Sequence, residues 1–269
     1  GAYKIFEISP TLRERQQERL QQDIPHLFPL IQWLHDWPKH PIKGVILANE
    51  VLDALPVSQF FWTEANIQEV RVGCEKDCFC YHLSPVKNYV LNDLGKLKAA
   101  YFPNVKAYQS EVCGQLPYWV NKLSFALKKG LILVIDYGFQ AQEYYNPDRV
   151  NCTLRCYYQH RIHDDPLSLV GLQDITASVD FSCLAQAGLQ AGLKVAGYTS
   201  QAAFLLNNDL LPLIEKCYDE ASSMDVNRQA HLLTSPSEMG ELIKVMGLTR
   251  NYEFSPLNGF KLYDKRARL

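Results

Sequence analysis

Two continuous apolar runs dominate the chain, Val45–Ala48 and Leu131–Ile135. Each has the length and β-prone content of a fully buried strand. Tyr3–Ile8, Leu30–Leu34, Leu193–Thr199 and Leu242–Thr249 are further strand candidates, with Gly259–Tyr263 as a weaker one. Between them lie helical stretches. Ser9 caps a polar helix that starts at Pro10 and runs to Gln22. Others are expected at Val90–Tyr101, at Leu116–Lys128 with Gly130 as its stop, from Asp174–Thr176 to Ala191 with Gly192 as its stop, and over most of Gln201–Met224. Ser235-Pro236-Ser237-Glu238 reads as a capping box ahead of a short helix. Ser58–Thr63, Ile67–Val72 and Cys78–Leu83 are short β-rich segments separated by turns and read as an antiparallel meander. Residues 139–175 are polar, aromatic and irregular.

The strand ends carry the chemistry. Glu7, Asp36, Asn49/Glu50 and Asp136 each follow a strand, with Asp53 three positions after Glu50. An open α/β sheet binds its ligands at the carboxyl ends of its strands. Glu7 at one such tip could accept both hydroxyls of a ribose, because a carboxylate takes two hydrogen bonds at once. An acid and an aromatic at Asp36 and Trp37 could border a purine. Each residue also has a plainer reading: Asn49 as a helix cap, Glu7 as a surface acid, Trp37 as core. Strands alternating with helices and closing on an antiparallel pair predict an α/β fold. The pattern favours a nucleoside-binding methyltransferase sheet over the all-parallel sheet of a dinucleotide dehydrogenase.

Composition adds limits. The 269 residues can bury a sizeable core, and 47% hydrophobic with 21% charged residues is ordinary for a globular protein. A net charge of −2 gives no bulk case for nucleic acid, and no apolar run reaches membrane-spanning length. Eight cysteines are too few for a disulfide scaffold, and none are spaced Cys-x-x-Cys, so reduced thiols and no metal are expected. His160, His163, Asp164 and Asp165 share no helix or strand period and read as a substrate-facing loop.

Several segments match a known family: Tyr3–Arg13, Leu47–Val57, Ile135–Gly138, His160-Arg161, Gly171–Ala177 and Met239–Met246. On these the chain resembles the MidA-like S-adenosylmethionine-dependent methyltransferases, whose mitochondrial member is a complex I assembly factor. The resemblance implies a class I methyltransferase (Rossmann-like) fold: a mixed sheet with antiparallel C-terminal strands and an inserted β-meander. The family's first strand and glycine-rich loop are expected upstream of Gly1. Three divisions follow: 1–57 and 113–269 as the core, the latter with loop 139–175 and helices 201–235, and 58–112 as a substrate subdomain. The resemblance also implies S-adenosylmethionine as cofactor and, for the mitochondrial member, symmetric dimethylation of an arginine in a complex I subunit. Glu50 and Asp53 are then the catalytic candidates, Glu7, Ser9, Asp36, Trp37 and Asn49 the cofactor set, and Asp136, His160, Arg161 and Asp174 the substrate channel. A guanidinium stays protonated, so its methylation needs no strong base; it needs a carboxylate that gathers the charge on one side and leaves the other nitrogen free. The expected partner is an arginine-bearing protein, with no nucleic acid or membrane; a homodimer is compatible with the sequence. The expected location is the bacterial cytoplasm or, in a eukaryote, the mitochondrial matrix. A small-molecule O- or N-methyltransferase and a non-catalytic assembly factor stay open as alternatives.

Overall fold

The computed structural model describes residues 2–63, 66–86, 94–101, 103–149, 152–159, 161–218, 223–252 and 256–269. The chain opens with β1 (Tyr3–Phe6), α1 (Pro10–Asp23), β2 (Ile31–Leu34) and β3 (Ile42–Asn49). It continues through β4 (Ser58–Thr63), β5 (Ile67–Glu75), β6 (Cys78–Pro85), α2 (Leu94–Tyr101) and β7 (Ala107–Val112). Next come α3 (Leu116–Ala126), β8 (Leu127–Phe139), α4 (Ala141–Tyr144), β9 (Arg155–Tyr158), β10 (Arg161–His163), β11 (Asp174–Thr176) and β12 (Val179–Asp180). It closes with α5 (Phe181–Gln190), β13 (Lys194–Ser200), α6 (Gln201–Asn207), α7 (Leu210–Cys217), α8 (Ser223–Thr234), α9 (Met239–Leu242) and β14 (Ile243–Arg250). No helix among the described residues is long and apolar enough to cross a membrane.

The main sheet is organised on β8. β14 pairs antiparallel along one edge of it, and β13 lies antiparallel beyond β14. β3 and then β12 pair parallel with the other edge. Burial along β8 alternates with period two: Ile132, Val134 and Asp136 point into the protein while their neighbours are less covered. β14 is buried throughout except at Arg250, as a central strand must be. Helices α3 and α5 cover the sheet, Leu116, Val120 and Leu123 meeting Leu184, Ala185 and Ala187 over Ile132, Val134, Met246 and Leu248. β1 and β2 form a parallel pair of their own.

The meander is a second sheet of order β6-β5-β4-β7. Its core is Phe60, Leu94 and Tyr108 against Ala141, Tyr144 and Tyr145. Residues 152–176, expected to be irregular, instead hold a small antiparallel sheet of order β10-β9-β11.

Several expectations are corrected. Val45 and Leu47 are 64% and 59% exposed: β3 pairs only with β8 among the described residues, and only Ala48 is fully buried. After Asn49 the chain turns instead of forming a capped helix. The helix expected to start at Val90 is described only from Leu94; residues 90–93 lie outside the described set. The capping box does not form, because the carbonyl of Ser235 takes the amides of Glu238 and Gly240 and leaves only the four-residue α9. Gly259–Tyr263 is not a strand: a 3-10 turn at Asn258–Phe260 inserts the Phe260 ring beside Phe204, 5.4 Å between centroids. Residues 201–224 break into separate helices, with Asp209 at φ 61° between the first two.

Gly130 does not stop a helix. It sits within β8, directly opposite Gly44 of β3, at φ 140°, and a Cβ there would lie 1.9 Å from the Gly44 carbonyl oxygen. Two glycines let the parallel strands close at this point. Gly130→Ala is expected to destabilise the fold by roughly 2–4 kcal/mol, from left-handed strain plus the backbone clash. Gly95→Ala, in α2 with open space around it, should cost nothing and gain at most about 1 kcal/mol. Urea denaturation of the two variants checks both.

Candidate functional site

Parallel pairing sets the end of β3 beside β8 four residues before β8 itself ends, so Asp136 lies within β8 and not at its tip as the sequence suggested. Asn49 lies opposite Ile135, and the Glu50 amide donates to the Ile135 carbonyl at 2.9 Å. One residue further along β8 is Asp136, which by the period of two must point inward. It is fully buried. An inward carboxylate needs donors, and the turn after β3 provides them. Amides of Val51, Leu52 and Asp53 donate to Asp136 Oδ2 at 3.1, 2.8 and 3.4 Å, and that of Tyr137 donates to Oδ1 at 2.9 Å. Three successive amides closing on one anion form a backbone nest. Glu50 begins it at φ 48°, a left-handed conformation that costs a non-glycine residue about 1–2 kcal/mol. Its side chain remains in solvent.

Asp136 therefore does not line a substrate channel, as the sequence suggested; it anchors the turn that carries Glu50 and Asp53. Asp53 is 8% exposed, and burial followed by the charge of Glu50 raises its pKa. For Asp136, burial and then the neighbouring Asp53 charge push the pKa up to about 7 against the opposing backbone donors. Tyr137, half-buried, has its phenol pKa raised by burial and by Glu50, Tyr157, Asp53 and Asp136. The same cluster is closed from the far side by two contacts. The Ala177 amide donates to the Asp53 carbonyl at 2.9 Å, and Val179 pairs with Gly138. Asp174 is exposed, opposite Tyr157 on the small sheet. Arg161 is exposed, opposite Tyr158 on the same small sheet. His160 lies outside the described residues.

A second group gathers at the tips of β1 and β2, which pair from Tyr3–Ile31 to Phe6–Leu34. Glu7 is half-buried: its Oε1 accepts from the Ser9 amide at 2.8 Å and its Oε2 from Gln16 Nε2 at 3.3 Å. Ser9 itself caps α1 through the Leu12 amide. Arg13 bridges the two tips, donating to the Glu7 carbonyl at 2.9 Å and meeting His35 Nδ1 at 2.6 Å. Asp36 is exposed and accepts from the Trp37 amide. Arg13 and Gln16 lie on a helix that the sequence reads as merely solvated; their spacing three apart, on the turn facing Glu7, was the available signal.

These residues fit a ribose at Glu7. Each carboxylate oxygen accepts one bond already and has a lone pair left for a hydroxyl. They do not fit Trp37 as a free purine platform, because its ring packs between Phe6 (5.1 Å) and Trp119 (6.3 Å). A cavity of about 420 Å³ lies elsewhere, between the meander and residues 152–166; its lining includes Asp164 of the loop read as substrate-facing but none of the expected catalytic, cofactor or channel residues.

The buried acid sets a pH dependence of stability. Its folded pKa of about 7 lies above its ordinary value of 3.8, so the folded state holds the proton more tightly and stability falls as pH rises between them. Urea denaturation from pH 4.5 to 8 should show this decline, amounting to a few kcal/mol at most. Asp136→Asn should make it shallower, with the raised pKa of Asp53 keeping part of it, while lowering stability at the acid end.

Residues 2–199 match the sequence profile of a family described as "Putative S-adenosyl-L-methionine-dependent methyltransferase". The chain is 30% identical over 220 residues to the rat (Rattus norvegicus) mitochondrial protein arginine methyltransferase NDUFAF7, covering 78% of this chain and 47% of the relative. The zebrafish (Danio rerio) protein of the same name is 28% identical over 264 residues, 88% of this chain and 58% of that one. The chain thus spans about half the length of the curated relatives it matches. Two solved structures from Burkholderia thailandensis superpose over the whole chain. One is bound to S-adenosyl-homocysteine, with TM-score 0.92, 34% identity and 68% of its own chain covered. The other is described as uncharacterized, with TM-score 0.91, 33% identity and 71% covered. The fold is that of a class I methyltransferase, and the chain belongs to this S-adenosylmethionine-dependent methyltransferase family.

Proposed function

We propose that the protein transfers a methyl group from S-adenosylmethionine to an arginine side chain of a protein substrate, with Glu50 as the carboxylate that receives the guanidinium. The observation that carries this reading is the placement of Glu50. It is exposed, at a strained left-handed position at the tip of β3, and the amides beside it are locked onto Asp136. Strain of this kind at an exposed charged side chain is held only where the surroundings over-determine it, which is common at active sites. The names of the relatives support arginine as the acceptor.

The bound cofactor supplies an electrophilic methyl group. Glu7 would hold its ribose, with Ser9 and Arg13 fixing the turn on which Glu7 sits. Glu50 would accept the guanidinium through paired N–H donors and concentrate its charge on one edge, leaving the far nitrogen free to attack. Asp53 lies beneath Glu50 and adds negative potential to the site. The nest prevents the Glu50 backbone from relaxing, so the carboxylate meets the substrate already positioned.

Glu50→Gln keeps the size and hydrogen-bonding reach of the side chain but removes its charge. It should lower transfer of labelled methyl to protein arginine by roughly 10²–10³-fold, the scale of losing one preorganised charge partner. Cofactor affinity, measured by calorimetry, should stay within about twofold. Full activity in Glu50→Gln removes Glu50 from the mechanism. Label that appears only in the small-molecule fraction of a lysate overturns the arginine assignment.

A further inference from the structure

The tip of the β5–β6 hairpin carries chemistry that methyl transfer does not use. The two strands turn through Lys76 and Asp77, at φ 49° and 63°, the left-handed pair of a tight two-residue hairpin. Their register places Glu75 opposite Cys78, Gly73 opposite Cys80 and Arg71 opposite His82. All these residues therefore share one face. Cys80 Sγ lies 3.2 Å from His82 Nε2, which lies 3.6 Å from Glu75 Oε1. The three donor atoms fall within 4.8 Å of one another.

We propose that Glu75, Cys80 and His82 form a zinc-binding site on this hairpin. A tetrahedral zinc sets sulfur–nitrogen and nitrogen–oxygen separations of about 3.5 and 3.4 Å, from bond lengths of roughly 2.3, 2.0 and 2.1 Å. The observed spacings are already close to these. One thiolate, one imidazole and one carboxylate make a donor set that suits zinc; calcium and magnesium take oxygen donors. Two further features favour occupancy. Gly73 leaves room for the imidazole, since a Cβ there would lie 2.4 Å from the His82 ring. Arg71, opposite His82 on the ladder, is bonded to Glu69 at 2.6 Å. The fourth position is open to water or to the exposed thiol of Cys78 on the same face. Cysteine spacing alone argued against a metal because two of the three ligands are not cysteines, and only the register brings Glu75 across to the other strand.

The site spans both strands, so bound zinc ties the hairpin end. The test is titration of the chelator-treated protein with zinc, alongside cobalt(II) as a spectroscopic reporter. Expected are one ion per chain and a thiolate-to-cobalt charge-transfer band. Cys80→Ser should abolish that band where water fills the fourth position and reduce it where Cys78 does, and both Cys80→Ser and His82→Ala should weaken zinc binding at least tenfold, since even outer-shell partners are worth about 10–100-fold. Cys74, which pairs with Phe79 on the opposite face, serves as a control: Cys74→Ser should leave binding unchanged. Circular dichroism of each variant confirms folding. Absence of uptake by the parent protein overturns the proposal, as does one-site binding that survives both Cys80→Ser and His82→Ala.

Discussion

One carboxylate holds this site together. Asp136 lies on the inward side of β8 because the strand's period places it there, and an inward acid is stable only with donors around it. Those donors are the amides of residues 51–53, which no longer belong to β3 and would otherwise be free to form a helix or a loop. The requirement to satisfy one buried group thus decides the shape of the turn. The turn in turn decides where Glu50 and Asp53 stand. Burial of Asp136 and display of Glu50 are two sides of a single arrangement.

The two groups of acids divide along the same line. At β1 and β2 the carboxylate of Glu7 is held by its own helix cap and by Gln16, while Arg13 links the neighbouring strand tip. At β3 and β8 the link is backbone to side chain across 85 positions of sequence. The first group is local in sequence and is held within the β1–β2 pair and α1. The second exists only when β3 and β8 are paired in register, so it reports on the integrity of the main sheet.

Much of this was legible in the sequence. The apolar runs located β3 and the middle of β8, because apolar periodicity is a short-range signal. The polar break marked the end of β3, whereas Asp136, read as the end of its strand, lies within β8, which runs on to Phe139. What escaped was non-local. β7 escaped because Ser110 and Glu111 are buried on it, which gives the strand a polar appearance. β9, β10 and β11 escaped because strands of three or four residues carry too little alternation to be seen without their partners. The role of Asp136 was misassigned for a related reason: the sequence gives its side of the strand, but not the amides that arrive from residues 51–53. The motif that matched the family is silent about which of its residues meet solvent.

β14, buried along almost its whole length between β8 and β13, has a consequence for how the protein is made. β8 meets β3 some 85 residues earlier in the chain and β14 about 110 residues later. Its central position cannot be filled until the last of these strands has been synthesised. Contacts of such long sequence separation carry a large loop-closure cost and slow folding. An emerging chain would therefore display the edge of β8, with its apolar side chains, for the interval in which residues 140–242 are added. Chaperone capture or arrest at that stage would act on the partner-seeking edge of the very strand that later supplies Asp136.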